Sequence, residues 1–277
     1  LREHLQVIAN LSVLIFIVTC MLSMGLRLTL REITAPLASP RLVIIALLVN
    51  FVVAPAVAWG LTRLFPLHPS YAAGLLLLGG AAGAPFLPKL AEFARGDLAY
   101  SVFLMILLTV GSVVFLPLAL PHMIPGLKAD PWPIARPLIV LMMAPILIGF
   151  VFKRFFERAS AILRGISEKL SQASLLVLLA LLIGLNLSAI GATVGSGAVA
   201  TALLFVSLSF LAGYFLGGKD LRQKSVLGLG TGQRNVAAAL AIATGNFTDP
   251  KVVTMLLVAT LFGLIPLLFA GLWLRNR

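Results

Sequence analysis

The sequence predicts an all-α, polytopic membrane protein, and three observations carry that prediction. The chain has 277 residues, of which 60% are hydrophobic and only 11% are charged, against about a quarter charged in soluble domains. Its mean hydropathy is +1.09. Apolar runs of about 20 residues, long enough to cross a bilayer as helices, recur along the whole chain. The runs lack the period-two alternation of a β-barrel.

Nine spans follow from the runs. Leu5–Leu26 is uncharged and makes the first, Leu42–Leu61 the second. Ser70–Ala94 makes the third and is interrupted around Pro85 and Pro88. Leu98–Leu118 and Trp132–Val151 make the fourth and fifth. The uncharged stretch between Lys169 and Lys219 is divided by the turn GATVGSG at Gly191–Gly197 into spans six and seven. Ser225–Thr244 and Val252–Leu274 complete the set. The chain opens on Leu1 rather than methionine, which leaves room for a segment ahead of it.

Net charge is +12, but the basic residues fall mostly in short loops, so nucleic acid is not the expected partner. Of 21 Lys and Arg, 14 lie in loops after spans one, three, five and seven and at the C-terminus, including Arg31, Lys153, Arg154, Lys224 and Arg277. The opposite face holds 5: Arg2, Arg63, Lys128, Arg136 and Lys251. Positive-inside bias then places the C-terminus in the cytoplasm and the N-terminus outside, in the cell membrane. Trp59, Trp132 and Trp273 sit near span ends, as does each of the histidines His4, His68 and His122, so these read as interfacial residues rather than metal ligands. Cys20, the single cysteine, excludes an intrachain disulfide.

Two cations remain, and both fall inside apolar segments. Lys89 lies in GAPFLPKLAEFARGD and Arg234 in GLGTGQRNVAAALAIATGN. A charge within a span is costly and marks a substrate or ion path. Lys89 is six residues from Arg95, ~9 Å along a helix, close enough to snorkel or to pair with Glu92. Arg234 is ten residues from Lys224, ~15 Å deep in a span about 30 Å thick, beyond easy snorkelling.

The two segments align without gaps. Gly83 meets Gly232, Ala94 meets Ala243, Gly96 meets Gly245 and Asp97 meets Asn246. Each is third in a block of four spans, and the blocks enter the membrane from opposite sides. Paired broken helices in inverted repeats point to a secondary-transporter site. Pro85 and Pro88 are expected to break the first helix, and Gly230 and Gly232 to loosen the second or let helices pack closely. Gln233, Asn235, Thr231 and Asn50 would line the site. Ser101 and Thr109 would either join them or bond back to their own helix. An enzyme is not expected, because His and Asp are missing from mid-span positions and Glu92 has no carboxylate partner. A channel would need a filter motif that is absent.

The stretch MGLRLTLREITAPLASPRLVIIALLVNFVVAPAVAWGLTRLF, with GGAAGAPFLPKLAEFARGDLAYSV and GTGQRNVAAALAIA, resembles the bile acid:sodium symporter family over nearly the whole chain. The resemblance implies the nine-span form, with one transporter domain over 1–277. Spans 5–26, 132–151 and 172–190 would form a panel. Spans 42–61, 70–94, 98–118, 197–216, 225–244 and 252–274 would form a core in which two broken helices cross.

The departures from the family are chemical. Where the family's first crossing helix carries Ser-Asn this chain has Leu87 and Pro88, followed by Lys89. Where the second carries Glu-x-Gly-x-Gln-Asn it has Gly230, Thr231, Gly232, Gln233, Arg234 and Asn235. A family Gln is Asn50, a family Ser is kept as Ser101, and a Thr one turn later is Met105. Most sodium-holding oxygens are thus replaced. Two unit charges ~4 Å apart at an effective dielectric of ~20 repel by about 4 kcal/mol, so sodium and these cations should not share the site. The expectation is a sodium-independent secondary transporter of a small organic anion, working by alternating access. Lys89 and Arg234 would stand in for the family's two ions, with neither metal nor cofactor. The alternative is a sodium-coupled, bile acid-like symporter using the residual polar ligands. Nothing in the sequence demands more than a monomer.

Overall fold

The apolar runs fold as helices, and the described residues contain no strand. The computed structural model describes residues 2–27, 29, 39–124, 131–193 and 195–276. Arg31, Lys128 and Arg277, used in the charge tally, lie outside that set. Eleven helices follow in order: α1 (Arg2–Arg27), α2 (Pro40–Leu64), α3 (Pro69–Gly80), α4 (Leu87–Phe93), α5 (Leu98–Met123), α6 (Trp132–Phe155), α7 (Glu157–Thr193), α8 (Ala198–Leu216), α9 (Leu221–Gly232), α10 (Val236–Asn246) and α11 (Pro250–Arg275). Six of them, α1 from Val7 onward, α2, α5, α6, α8 and α11, are long and apolar enough to cross a membrane. The protein is therefore a multi-pass helical membrane protein.

Local chemistry sets the helix ends. Asp97 caps α5 by accepting from the Tyr100 N–H at 2.9 Å, Asp220 caps α9 through Gln223 at 2.9 Å, and Asn235 caps α10 through Ala238 at 3.1 Å. Each satisfies an amide that a helix start leaves open. The turn between α7 and α8 contains Gly195 and Gly197 at φ of 93° and 82°, a conformation that costs glycine nothing.

Two spans carry a π-helical turn, Val49–Val53 in α2 and Ile139–Met143 in α6, each followed by a proline (Pro55, Pro145). A proline inside a helix removes one donor, and a π-bulge shifts the ladder around it. The consequence in α2 is a backbone carbonyl at Asn50 that can serve another partner.

α1 packs mainly on α7 and α6. Where α1 meets α6 the backbones nearly touch: a Cβ on Gly25 would overlap the Ile146 carbonyl, and one on Gly149 would lie 2.6 Å from Leu22 O. Small residues permit such approach between membrane helices. The remaining helices surround the broken pair, with α8 against α9 and α11, and α3 against α11 and α2.

α7 is one unbroken helix of 37 residues and begins well before position 172, where the sequence places span six. The charged run before 172 does not stop a helix; it only makes one face polar. α5 likewise continues past Leu118 to Met123, with Pro117 and Pro121 inside it.

Candidate functional site

The site is built on the two interruptions. The first lies between Gly80 and Leu87, and the second between Gly232 and Val236. Unpaired backbone survives inside a membrane only where protein or a cavity satisfies it, so each carbonyl of the first break needs a donor. Asn235 supplies two, its N–H to Ala81 O at 2.8 Å and its side-chain Nδ2 to Gly83 O at 3.0 Å. Thr109 on α5 donates to Gly83 O at 2.9 Å and also to Met105 O in its own helix at 2.8 Å. Ser112 one turn on donates to Ala82 O at 3.0 Å and accepts from Ala82 N–H at 2.9 Å. Gly83, at φ 81°, sits so close to α5 that any Cβ would collide with the backbone at Thr109 and lie 2.7 Å from Leu108 C.

Arg234 takes the rest. Its residue is only 4% exposed. Nε donates to Leu78 O at 3.1 Å. Nη1 donates to Asn50 Oδ1 at 2.9 Å and to Thr231 O at 3.3 Å. Nη2 donates to Asn50 O at 3.3 Å and to Gly79 O. A guanidinium has five N–H donors, and all five are used. Its oxygens come from α2, the last turn of α3 and the last turn of α9. Helix C-termini carry the negative end of the macrodipole and unpaired carbonyls, so two helix ends and one bulged carbonyl face one buried cation. The charge is compensated by these dipoles; among the described residues the ion pairs are Lys89–Glu92 and Arg164–Glu168, neither of which involves Arg234.

Asn50 is fully buried and oriented by its own bonds, Nδ2 donating to Ala46 O at 3.0 Å and to Thr231 Oγ1 at 3.2 Å. Thr231 donates in turn to Leu227 O at 2.7 Å. Arg234, Asn50 and Thr231 thus form one hydrogen-bonded network, while Asn235 bonds separately to the first break at Ala81 and Gly83.

Other expected site residues stand elsewhere. Lys89 and Glu92 point away from the crossing: their side chains are 67% and 65% exposed and 3.6 Å apart. The reason is helical phase. Leu87, Pro88, Leu90 and Ala91 form the buried face of α4, which turns positions 89 and 92 outward. This corrects the expectation that Lys89 stands in an ion's place. Ser101 is buried and donates to Leu98 O at 2.7 Å in its own helix. Gln233 is half-buried and outside the Arg234 cage, with Oε1 unpartnered. Pro85 lies late in the first interruption and Pro88 in the first turn of α4, so the break itself is made N-terminal to them, at Ala81–Gly83. Proline in a first helical turn forfeits no bond. Gly230 and Gly232 belong to α9 and serve packing: a Cβ on Gly232 would lie 2.8 Å from Leu267 Cδ2 and 3.1 Å from Phe210 Cβ.

Gly230 has a second meaning. It stands where the resemblance places a glutamate. Here the space beyond it is filled by Leu87 Cδ2 at 2.9 Å and Leu104 Cδ2 at 3.0 Å from an added Cβ, both residues fully buried. That space is hydrocarbon, whereas the oxygens gathered at the crossing are bonded to Arg234. Sequence reasoning missed Ser112 and the carbonyls of Leu78 and Gly79. Thr109 and Ser112, three apart in an otherwise apolar span, were the available signal, because hydroxyls on one helix face bond across to neighbours.

Comparison with known proteins agrees with this architecture. A family model described as the sodium bile acid symporter family matches residues 14–193. The chain is 26% identical over 261 residues to the probable sodium/metabolite cotransporter BASS1, chloroplastic, of Arabidopsis thaliana, covering 92% of this chain and 65% of that protein. The rice (Oryza sativa subsp. japonica) BASS1 is 25% identical over 259 residues, with 91% and 63% covered. The chain therefore spans somewhat under two thirds of the length of these plant relatives. The uncharacterized sodium-dependent transporter YocS of Bacillus subtilis (strain 168) is 24% identical over 286 residues, with 95% and 83% covered. These relatives are transporters rather than enzymes. With the family model spanning well over half of its length, this chain belongs to the sodium bile acid symporter family.

Proposed function

We propose that this protein is a secondary active transporter of a small organic anion that works by alternating access without sodium, the Arg234 guanidinium serving as a tethered internal cation. One observation carries the reading: five N–H donors meet five oxygens contributed by α2, α3 and α9 at the point where the broken helices cross. Those oxygens are what a bound cation would otherwise have to gather. A covalently attached cation holds the crossing together without being supplied from solution, and it leaves no coupling ion to be spent. Because every donor is engaged, Arg234 acts here as the cation of the crossing and not as a ligand of the substrate.

The same reading counts nine spans, taking α3 with α4 and α9 with α10 as one broken span each and α7 as one. It pairs α2, α3–α4 and α5 with α8, α9–α10 and α11 as an inverted repeat. The second half-helices support the pairing, since they begin at Leu87 and Val236, positions that the gap-free alignment puts opposite each other. The preference of α1 for α6 and α7 supports a panel of those three helices moving against a core of the rest. The charge bias supports an N-terminus outside and a cytoplasmic C-terminus in a cell membrane.

The competing reading is a sodium-coupled symporter, favoured by the names of the relatives. Uptake into proteoliposomes separates the two, with a panel of radiolabelled carboxylates, sulfonates and phosphate esters and with external sodium replaced by choline. Equal uptake in both salts supports the proposal. A strict sodium requirement refutes it.

A further inference from the structure

The protein has a cavity of ≈ 450 Å³ at the end of the bundle where α2 and α10 finish and α3 and α11 begin. We infer that this cavity is a receiving site for a small organic monoanion, with Arg63 as its cationic anchor. Its size lies in the range of small-molecule sites. Its floor reaches Leu76, one helical turn along α3 from the Gly79 carbonyl that holds Arg234. The cavity thus ends about one helical turn from the crossing.

Among the described lining residues Arg63 is the one cation and Asp249 the one anion. Arg63 has no carboxylate partner among the described ion pairs. Its guanidinium lies 5.2 Å from the centroid of the Trp59 ring, a cation–π contact that orients the group while leaving its N–H donors free. Asp249 is committed: Oδ1 accepts from the Lys251 N–H at 2.9 Å and Oδ2 accepts from the Ser70 hydroxyl. These bonds hold its carboxyl below its usual pKa, so it stays ionised and repels a second negative charge. Leu76, Phe247 and Val252 add apolar wall. The combination selects one anionic group on a small apolar body and disfavours dianions. Since all donors of Arg234 are engaged, Arg63 is the cation in this cavity with donors to offer an anion. As a step in transport the inference rests on the carrier reading above; as a binding site it is tested separately.

The experiment uses the full chain purified in lipid-free detergent, with Trp132→Phe and Trp273→Phe leaving Trp59 as the sole tryptophan. Its emission is titrated with acetate through hexanoate, phenylacetate and succinate. A saturable change with the monocarboxylates, weakened roughly tenfold or more by Arg63→Gln and weaker for succinate, supports the site. Asp249→Asn should narrow the gap between mono- and dicarboxylate. Three results overturn it: no saturable change, a response unaltered in Arg63→Gln, or a response seen only with vesicles of anionic phospholipid, which would make Arg63 a headgroup contact. Thermal melting of the same variants monitors folding. The two readings fail separately, since a Trp59 response does not depend on uptake and uptake does not depend on a Trp59 response.

Discussion

The two cations in the broken helices meet opposite fates, although their sequence settings look alike. Arg234 is sealed among five oxygens at the crossing, while Lys89 stands outside with Glu92. The difference comes from what surrounds each backbone break. Around Arg234, two helices end and a third bulges, so carbonyls without partners face one point. At Lys89, α4 is starting, and a helix start presents N–H groups that repel a cation. The buried face of α4 is instead given to Leu87, which packs into the space beside Gly230. One broken helix thus carries a guanidinium cage and the other a hydrocarbon contact. Burial of a charge follows the supply of carbonyl oxygens, not the hydrophobicity of the flanking sequence.

This contrast can be broken or sharpened by substitution. The largest effect is expected for Arg234→Gln. Most of five buried acceptors lose their donor, at ~1–3 kcal/mol for each one left unpaired, so thermal stability should fall steeply and uptake should drop at least tenfold. Gly83→Ala comes next. It forces an unfavourable φ and pushes α5 from the break, costing on the order of 3 kcal/mol, read as a lower melting temperature with impaired transport. Gly230→Ala meets only the ends of two leucines and should cost about 1 kcal/mol, with transport retained. If it were as damaging as Gly83→Ala, the hydrocarbon side would be more tightly constrained than described.

Two smaller effects bound the comparison. The Asp249 carboxyl is held below its ordinary value of 3.8 chiefly by the Ser70 hydroxyl and then by the Lys251 amide. The unfolded chain therefore binds that proton more readily. The stabilisation is present above the ordinary carboxylate pKa and is lost as pH falls through the depressed one. Melting curves of wild type and Asp249→Asn should differ at neutral pH and converge in acid below that range. Lys89→Gln should be the mildest, within about 0.5 kcal/mol and without effect on uptake, as expected of an exposed pair. A transport defect there would return Lys89 to the mechanism.

Much of the framework was legible because its signals are local. Apolar runs pointed to the long helices, and the Pro- and Gly-bearing segments are indeed the two that are interrupted. Asn50, Thr231, Arg234 and Asn235 stood out as polar residues at depth, and the first three are hydrogen-bonded to one another. The face of α4 was not legible, because helical phase depends on where a helix restarts after a break, and that lies at Leu87 rather than at the first proline. The oxygens of Leu78 and Gly79 were invisible for a different reason: backbone carbonyls carry no residue identity. The π-turn at Val49–Val53, which releases the Asn50 carbonyl to Arg234, was not read from the sequence at all.

Transport without sodium rests on the proposal that a guanidinium does the work of a bound cation at the crossing. It is tested most directly by melting purified wild type and Arg234→Gln in sodium and in choline at matched ionic strength, since a ligand that binds only the folded state raises its melting temperature. Wild type should melt identically in both salts, and Arg234→Gln, its carbonyl oxygens freed, should gain stability saturably with sodium. A saturable sodium-dependent rise in the wild-type protein would contradict it.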